Sequence, residues 1–448
     1  MKKPVVAMVA LLMSGAALAQ TPASPTPAET LFRNVRVYDG KADHLSAPTS
    51  VLVRGNTIAA IGANATAAPD TTIVEGEGRT LMPGLIDAHW HAMMVRSTPE
   101  QLLFGDVGFA NLQAGAEATA TLMRGFTTVR DVGGPVFGLK QAIDRGIVSG
   151  PRIWPSGAMI TITSGHGDFR PTSELPRDNS KPLSRMEVLG GALVADGPDL
   201  VRQRVREQLM LGASQIKLTA GGGVASPHSP LDVSTFTPDE LKAAVEAADN
   251  WGTYVMVHAY TPVAVRRAID SGVRVIEHAH LIDDATAKYM AEKGVWLSSQ
   301  PLTQAEFGGI FPPGSDQYEK LNEVFTGTER LFGLVKKYKL KMSFGTDVLF
   351  SEALGRRQGA MLAGMGKWFT PAEVLRQATS TNGELLALSG KRSPYKGKLG
   401  VVEEGALADL LLVDGDPLAN LQLLADADRN FRVIMKDGKI YKNSLEGK

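Results

Sequence analysis

The sequence predicts an α/β fold, a TIM-like (β/α)8 barrel whose N- and C-terminal flanks together form a small β-sandwich. Three observations point there. Eight apolar runs alternate with helical stretches: Leu85 to His91, Thr127 to Val132, Arg152 to Ser156, Gln215 to Thr219, Tyr254 to His258, Val273 to His278, Val295 to Ser299 and Lys341 to Asp347. Eight strand–helix units in about 300 residues match the size of such a barrel. Short strands with closely spaced turn signals occur only at the two ends of the chain. A doubly wound open sheet, the alternative, would carry G-x-G-x-x-G after a strand, and none is present.

In chain order, residues 1–19 are expected to be a signal peptide. Lys2 and Lys3 precede an apolar run from Val5 to Leu12, and Ala17-Leu18-Ala19 offers a small-x-small cleavage site before Gln20. The run is too short to span a bilayer, so the expectation is export to the periplasm or medium without anchoring. Residues 20–28, rich in Pro, Ser and Thr, read as a flexible leader. Residues 29–83 form the first part of the sandwich, with Leu31 to Val37, Val51 to Ile61 around a Gly55-Asn56 turn, and Thr72 to Val74. Residues 84–392 hold the barrel; its helices include Pro238 to Trp251, with Thr237 and Glu240 in a capping box. Residues 393–448 complete the sandwich through Leu410 to Asp414 and Arg432 to Tyr441, the latter with an Asp437-Gly438 turn.

Composition limits the function. The 47 basic and 47 acidic residues balance, which argues against nucleic acid or an anionic membrane as a partner. With no cysteine there are no disulfides, and any metal must be held by nitrogen and oxygen.

Barrel enzymes carry their chemistry at the C-terminal ends of the strands, and the ionisable residues of this chain collect there. His89 and His91 close the first strand, one residue apart and therefore on one face. Lys217 is in the fourth, His258 ends the fifth, His278 the sixth and Asp347 the eighth. A lone histidine ending an apolar strand is commonly a hydrogen-bonded core residue; six such groups at one end of five strands point to a metal centre. Lys217, flanked by Ile216 and Leu218, is a solitary buried amine that must shed its proton or find a partner. Neutral, it can add carbon dioxide and become an anionic carbamate ligand; charged, it would pair with Glu277 or Asp131. Asp347, beside Gly345, can ligate and serve as a general base, or merely cap the next helix.

Other residues reach the same face. His166, in Ser164-Gly165-His166-Gly167-Asp168, could polarise a scissile carbonyl or meet a substrate carboxylate. His280, two residues past His278, and Tyr260, two past His258, are further candidates for substrate contact, with His228 and Arg170 in the loops. Arg177, Lys181 and Arg185 lie in the same long segment as Arg170. The triple glycine Gly221 to Gly223 is not a phosphate loop, since no Lys-Ser/Thr pair follows it. His44 is expected at the surface. Asp87, at i−2 from His89, could orient the ligands from one layer below.

The motif P-G-L-I-D-A-H-x-H at Pro83 to His91, the four further strand-end residues Lys217, His258, His278 and Asp347, and G-x-L-A-D-L-L-L-V at Gly405 to Val413 resemble the amidohydrolase superfamily. Within it, S-G-H-G-D and A-G-G-G-V-x-S-P-x-x-S-P look like the group of Xaa-Pro and Xaa-Arg dipeptidases, imidazolonepropionase-like proteins and ochratoxin-hydrolysing amidohydrolases. The resemblance implies two divalent metal ions, usually zinc. His89, His91 and Asp347 would hold one, His258 and His278 the other, with a carbamate on Lys217 bridging them. It implies Asp347, Lys217 and His166 as catalytic residues and a homo-oligomer, an octamer by similarity. The expected reaction is hydrolysis of an amide that releases a C-terminal amino acid such as phenylalanine, from an N-acyl amino acid, a dipeptide or ochratoxin A. The substrate is then a small molecule with a C-terminal carboxylate. Opening of a cyclic amide, or a non-catalytic scaffold on the same fold, are the competing expectations.

Overall fold

The structure, a computed structural model, describes residues 28–177 and 182–445. The expected signal peptide, nearly all of the leader and Lys181 lie outside the described residues.

The two ends of the chain share a sheet. Glu29–Val37 pairs antiparallel with Thr49–Arg54 and parallel with Thr80–Pro83, which in turn runs antiparallel to Leu410–Val413, followed by Phe431–Lys436 and Lys439–Asn443. Phe32, Val51, Leu81, Leu410, Leu412 and Val433 are fully buried between the strands as an apolar core. The two turns read from the sequence meet one another: Asn56 Nδ2 donates to Asp437 Oδ1 at 3.1 Å. Arg152 then ties this unit to the barrel floor, donating from Nε to Asp409 at 2.8 Å.

Eight parallel strands make the barrel. They are Leu85–Trp90, Phe126–Asp131, Arg152–Pro155, Ile216–Thr219, Val255–Ala259, Val275–His278, Trp296–Ser299 and Met342–Phe344. The third strand breaks at Ser156 and resumes as Met159–Thr161, which pairs with the fourth at Ile160–Leu218 and carries an extra strand, Ala192–Val194, on its other side. The circle closes where Asp347 N–H donates to His89 O at 2.8 Å. That approach requires Gly345, because a Cβ there would lie 2.4 Å from His89 Cβ. Helices cover the outside, among them Pro238–Asp249 with the expected Thr237/Glu240 capping box.

The barrel interior is polar on one level. Arg130 Nη2 donates to Glu277 Oε1 at 2.7 Å, with both residues fully buried. Glu277 directly precedes His278 on the sixth strand, and Arg130 reaches it from the second.

Candidate active site

Five of the six strand-end residues converge with one another and with Lys217 at the C-terminal mouth of the barrel. Each candidate histidine there has one ring nitrogen tied down. His89 Nδ1 lies 2.6 Å from Glu277 Oε2, His91 Nδ1 3.0 Å from Gly133 O, His258 Nε2 2.8 Å from Gly222 O and His278 Nδ1 2.8 Å from Gln300 Oε1. Every one of these partners is an acceptor, so the tied nitrogen carries a hydrogen, and in a neutral ring the other nitrogen keeps its lone pair. Burial holds His258 and His278 well below the ordinary imidazole range, so both are neutral.

Asp347 stands against these rings, with Oδ1 3.2 Å from His89 Nε2 and 3.3 Å from His91 Nε2. Burial alone would raise its pKa; the imidazoles of His89, His91 and His278 hold it well below the usual carboxylate range instead. Its backbone adopts φ 55°, and His278 adopts φ 73°. Two non-glycine residues in the left-handed region, both with side chains in the site, indicate backbone strain held where chemistry is expected.

Lys217 is 2% exposed on the cavity floor, and no hydrogen bond or ion pair reaches its ammonium among the described residues. Burial lowers its pKa to about 8. The ion-pair alternative is absent from the geometry. Glu277 is committed to Arg130 and His89, and Asp131 accepts from the backbone N–H of Ala92 at 2.7 Å. Although burial favours its protonated form, Glu277 is held far below the usual range by Arg130, His89 and Lys217.

The donor set fits a divalent cation. One ligand atom each from His89, His91 and Asp347 lies within 4.8 Å of the others. Neutral imidazole nitrogen and carboxylate oxygen are the ligand types that zinc accepts.

Above this floor opens a cavity of about 430 Å³. Its walls are mostly apolar: Met93 and Leu102 from the segment after the first strand, Phe169 from the third-strand loop, Phe307 and Phe311 from the long seventh-strand segment, and Phe350 beyond Asp347. Among the described residues no lysine or arginine other than Lys217 lines it, and Asp347 is the only carboxylate that does. His166 and Tyr260 are also on the wall. The His166 ring centroid is 4.2 Å from that of His258, and a Cβ on Gly223 would overlap it at 2.0 Å, which explains one of the three consecutive glycines. Burial lowers the His166 pKa to about 3. Tyr260 packs edge-on against His258 at 4.8 Å, and burial raises its phenol pKa.

Three expectations of substrate contact need correction. His280 is fully buried, with Nε2 3.1 Å from Gln300 O, and is not on the cavity wall. The left-handed backbone at His278 and Ala279, φ 73° and 57°, breaks the alternation that would have kept His280 on the face of His278. Arg170 is turned away from the cavity: its Nε and Nη2 each donate to Asp168 at 2.7 Å, stapling the third-strand loop to itself. His228 is exposed and off the wall; its carbonyl accepts from Ser164 Oγ at 2.7 Å. Arg177 and Arg185 are likewise engaged elsewhere, with Glu187 and Gly105 O. Asp87 lies one layer below the ligands, accepting from His89 N–H at 3.0 Å and Thr346 Oγ1 at 2.7 Å.

Sequence reasoning missed Gln300 and the wall from Met93 to Asn111. Gln300 follows the seventh strand directly, a strand end not tested for polar residues. The wall had a weaker signal, the apolar run Ala92 to Val95 right after the histidine pair.

No helix among the described residues is long and apolar enough to cross a membrane. The chain is similar to the ochratoxinase of Aspergillus niger, 28% identical over 384 residues that cover 81% of this chain and 75% of that protein. It is similar in structure to a prolidase complexed with N-methylphosphonate-L-proline, with a TM-score of 0.85 and 33% identity over 93% of this chain and all of that one. A Xaa-Pro dipeptidase with methionine bound in its active site superposes with a TM-score of 0.78 and 29% identity, over 93% of this chain and all of the other. Residues 80–442 match the model of the amidohydrolase family, and the chain therefore belongs to that family.

Proposed function

We propose that this amidohydrolase cuts the amide between an acyl group and a C-terminal amino acid with an apolar side chain, phenylalanine foremost, and that ochratoxin A is among its substrates. The observation that carries the reading is the pairing of a polar floor with an uncharged wall. Four imidazoles each with one ring nitrogen tied to an acceptor, a carboxylate and an amine unpaired among the described residues lie beneath apolar surface fit for aromatic groups. Similarity to an ochratoxinase supports the aromatic acyl side, and similarity to prolidases supports release of a single amino acid.

His89, His91 and Asp347 would hold one divalent ion, His258 and His278 a second, and a carbamate on Lys217 would bridge them. Bound there, the pair supplies Lewis acidity to the carbonyl and an ionised water near neutral pH. Lys217, with its pKa lowered to about 8, has neutral amine available to add to carbon dioxide; the carbamic acid formed then loses its proton. Asp347 accepts the proton of the attacking water and returns it to the departing nitrogen. His166, neutral and on the wall beside His258, donates to a substrate oxygen, and Tyr260 faces the same space.

A basic leaving group is disfavoured because the described residues of the wall offer no carboxylate beyond Asp347. A Xaa-Pro dipeptidase is the second reading, favoured by the 33% identity to the prolidase. Amino-acid release by the zinc-loaded protein from ochratoxin A, N-acyl-phenylalanine, Xaa-Pro dipeptides and a lactam separates the readings. Phenylalanine release from the first two supports the proposal; cleavage confined to Xaa-Pro or to the lactam overturns it. The same reading has the chain exported after cleavage before Gln20 and assembled as a homo-oligomer.

A further inference from the structure

Two loops meet at His166, and a helix braces one of them. His166 Nδ1 lies 2.9 Å from Ser226 Oγ, in the loop after the fourth strand. The same Ser226 Oγ accepts from Gly167 N–H at 2.8 Å. Ser226 O accepts from Lys320 Nζ at 3.1 Å, and Lys320, on the helix Asp316–Tyr338, is also paired with Asp316 at 2.6 Å. Ser226 is fully buried.

Counting hydrogens resolves the direction of the serine–histidine bond. One acceptor position of Ser226 Oγ is filled by Gly167 N–H, and among the described residues the hydroxyl has no acceptor within reach other than His166 Nδ1. Were His166 to donate from Nδ1, the buried hydroxyl hydrogen would be stranded, at a cost of about 1–3 kcal/mol. The serine therefore donates, and the imidazole hydrogen is on Nε2. Nε2 has no hydrogen-bond partner among the described residues, and the ring lines the cavity.

We propose that Ser226, its main chain clamped by Lys320, is a positioning residue that locks His166 as the Nε2–H tautomer and so aims a neutral hydrogen-bond donor into the cavity. The part of this that concerns turnover rests on the amide-hydrolase reading; the tautomer does not. Gly223 makes room for the ring in this position, since a Cβ there would lie 2.0 Å from His166 Nδ1. A loop serine two residues from an exposed histidine thus presets a group in the third-strand loop.

The test is magic-angle-spinning NMR of full-length, zinc-loaded protein labelled with histidine nitrogen-15, with His166 assigned by loss of its signals in His166→Asn. The expected spectrum has a protonated Nε2 and an unprotonated Nδ1. In Ser226→Ala the signals move toward the other tautomer and kcat falls roughly 10- to 100-fold, with KM moving less; Ser226→Thr, which keeps the hydroxyl, restores both. A protonated Nδ1 in the unsubstituted protein overturns the proposal, as does a Ser226→Ala protein whose spectrum or kcat is unchanged. If Ser226→Ala fails to fold, the spectra of the unsubstituted protein and of Ser226→Thr still decide. If no amide is hydrolysed the functional reading fails, while the tautomer measurement stands on its own.

Discussion

His89 Nδ1 and Glu277 Oε2 are 2.6 Å apart, both fully out of solvent, and the other oxygen of Glu277 takes a hydrogen bond from Arg130 at 2.7 Å. The carboxylate thus orients a candidate ligand from the sixth strand while its own charge is balanced from the second. Conversion of Glu277 to Gln keeps the shape and removes the charge. Zinc affinity, measured by competition with a chelator, is expected to fall roughly 10- to 100-fold. Conversion to Ala leaves Arg130 buried and unpaired, and should cost about 3–5 kcal/mol in denaturant unfolding. Unchanged zinc affinity in Glu277→Gln would remove the orienting role.

Gly345 is where the eighth strand passes His89, and a Cβ there has no room. Gly345→Ala forces apart the pair of strands that carry His89 and Asp347. The expected result is loss of zinc, measured by elemental analysis of the purified protein, with a destabilisation of about 1–3 kcal/mol. A variant that retains full zinc and activity contradicts the closure described here.

Arg170 is bound to Asp168 and turned from the cavity. Its replacement by Gln should therefore lower Tm, because Asp168 loses its partner, and leave KM for N-acyl-phenylalanine unchanged relative to KM for the corresponding amide. A selective rise in KM for the free acid would restore Arg170 as a carboxylate contact.

How much of this was legible in the sequence follows from what each residue depends on. His89, His91, His258, His278 and Asp347 were readable because strand register fixes their face and the barrel fixes their end. Lys217 was readable because a lone amine between Ile216 and Leu218 has nowhere else to be. His280 was misplaced because period-two alternation assumes extended backbone, and no sequence rule announced left-handed φ at His278 and Ala279. Arg170 was misread for a different reason: a loop arginine gives its charge away but not its partner, and Asp168 was only two residues distant. The apolar wall came from side chains of four loops, whose juxtaposition is a tertiary property.

Stability should depend on pH through the buried imidazoles. Burial lowers His280 to about 4, against the ordinary 6.5, and lowers His166 to about 3. Between these values the unfolded chain binds more protons than the folded one, so stability is complete above about pH 6.5 and is lost as pH falls through 4 and 3. Asp131, raised to about 7 by burial, acts in the opposite sense. The difference between variant and parent is therefore the readout: in the metal-free protein, His280→Gln should weaken the fall of Tm between pH 6.5 and 4. An equal or steeper fall contradicts the assignment.

A two-ion site bridged through Lys217 can be seen by anomalous diffraction from crystals of the zinc-loaded protein soaked with phenylalanine. The expected result is two ions, one on His89, His91 and Asp347 and one on His258 and His278, with a carboxylated Lys217 between them, and loss of the pair and of most activity in Lys217→Ala. A single ion beside an unmodified Lys217 amine, or a Lys217→Ala protein that keeps two ions and full turnover, would contradict it.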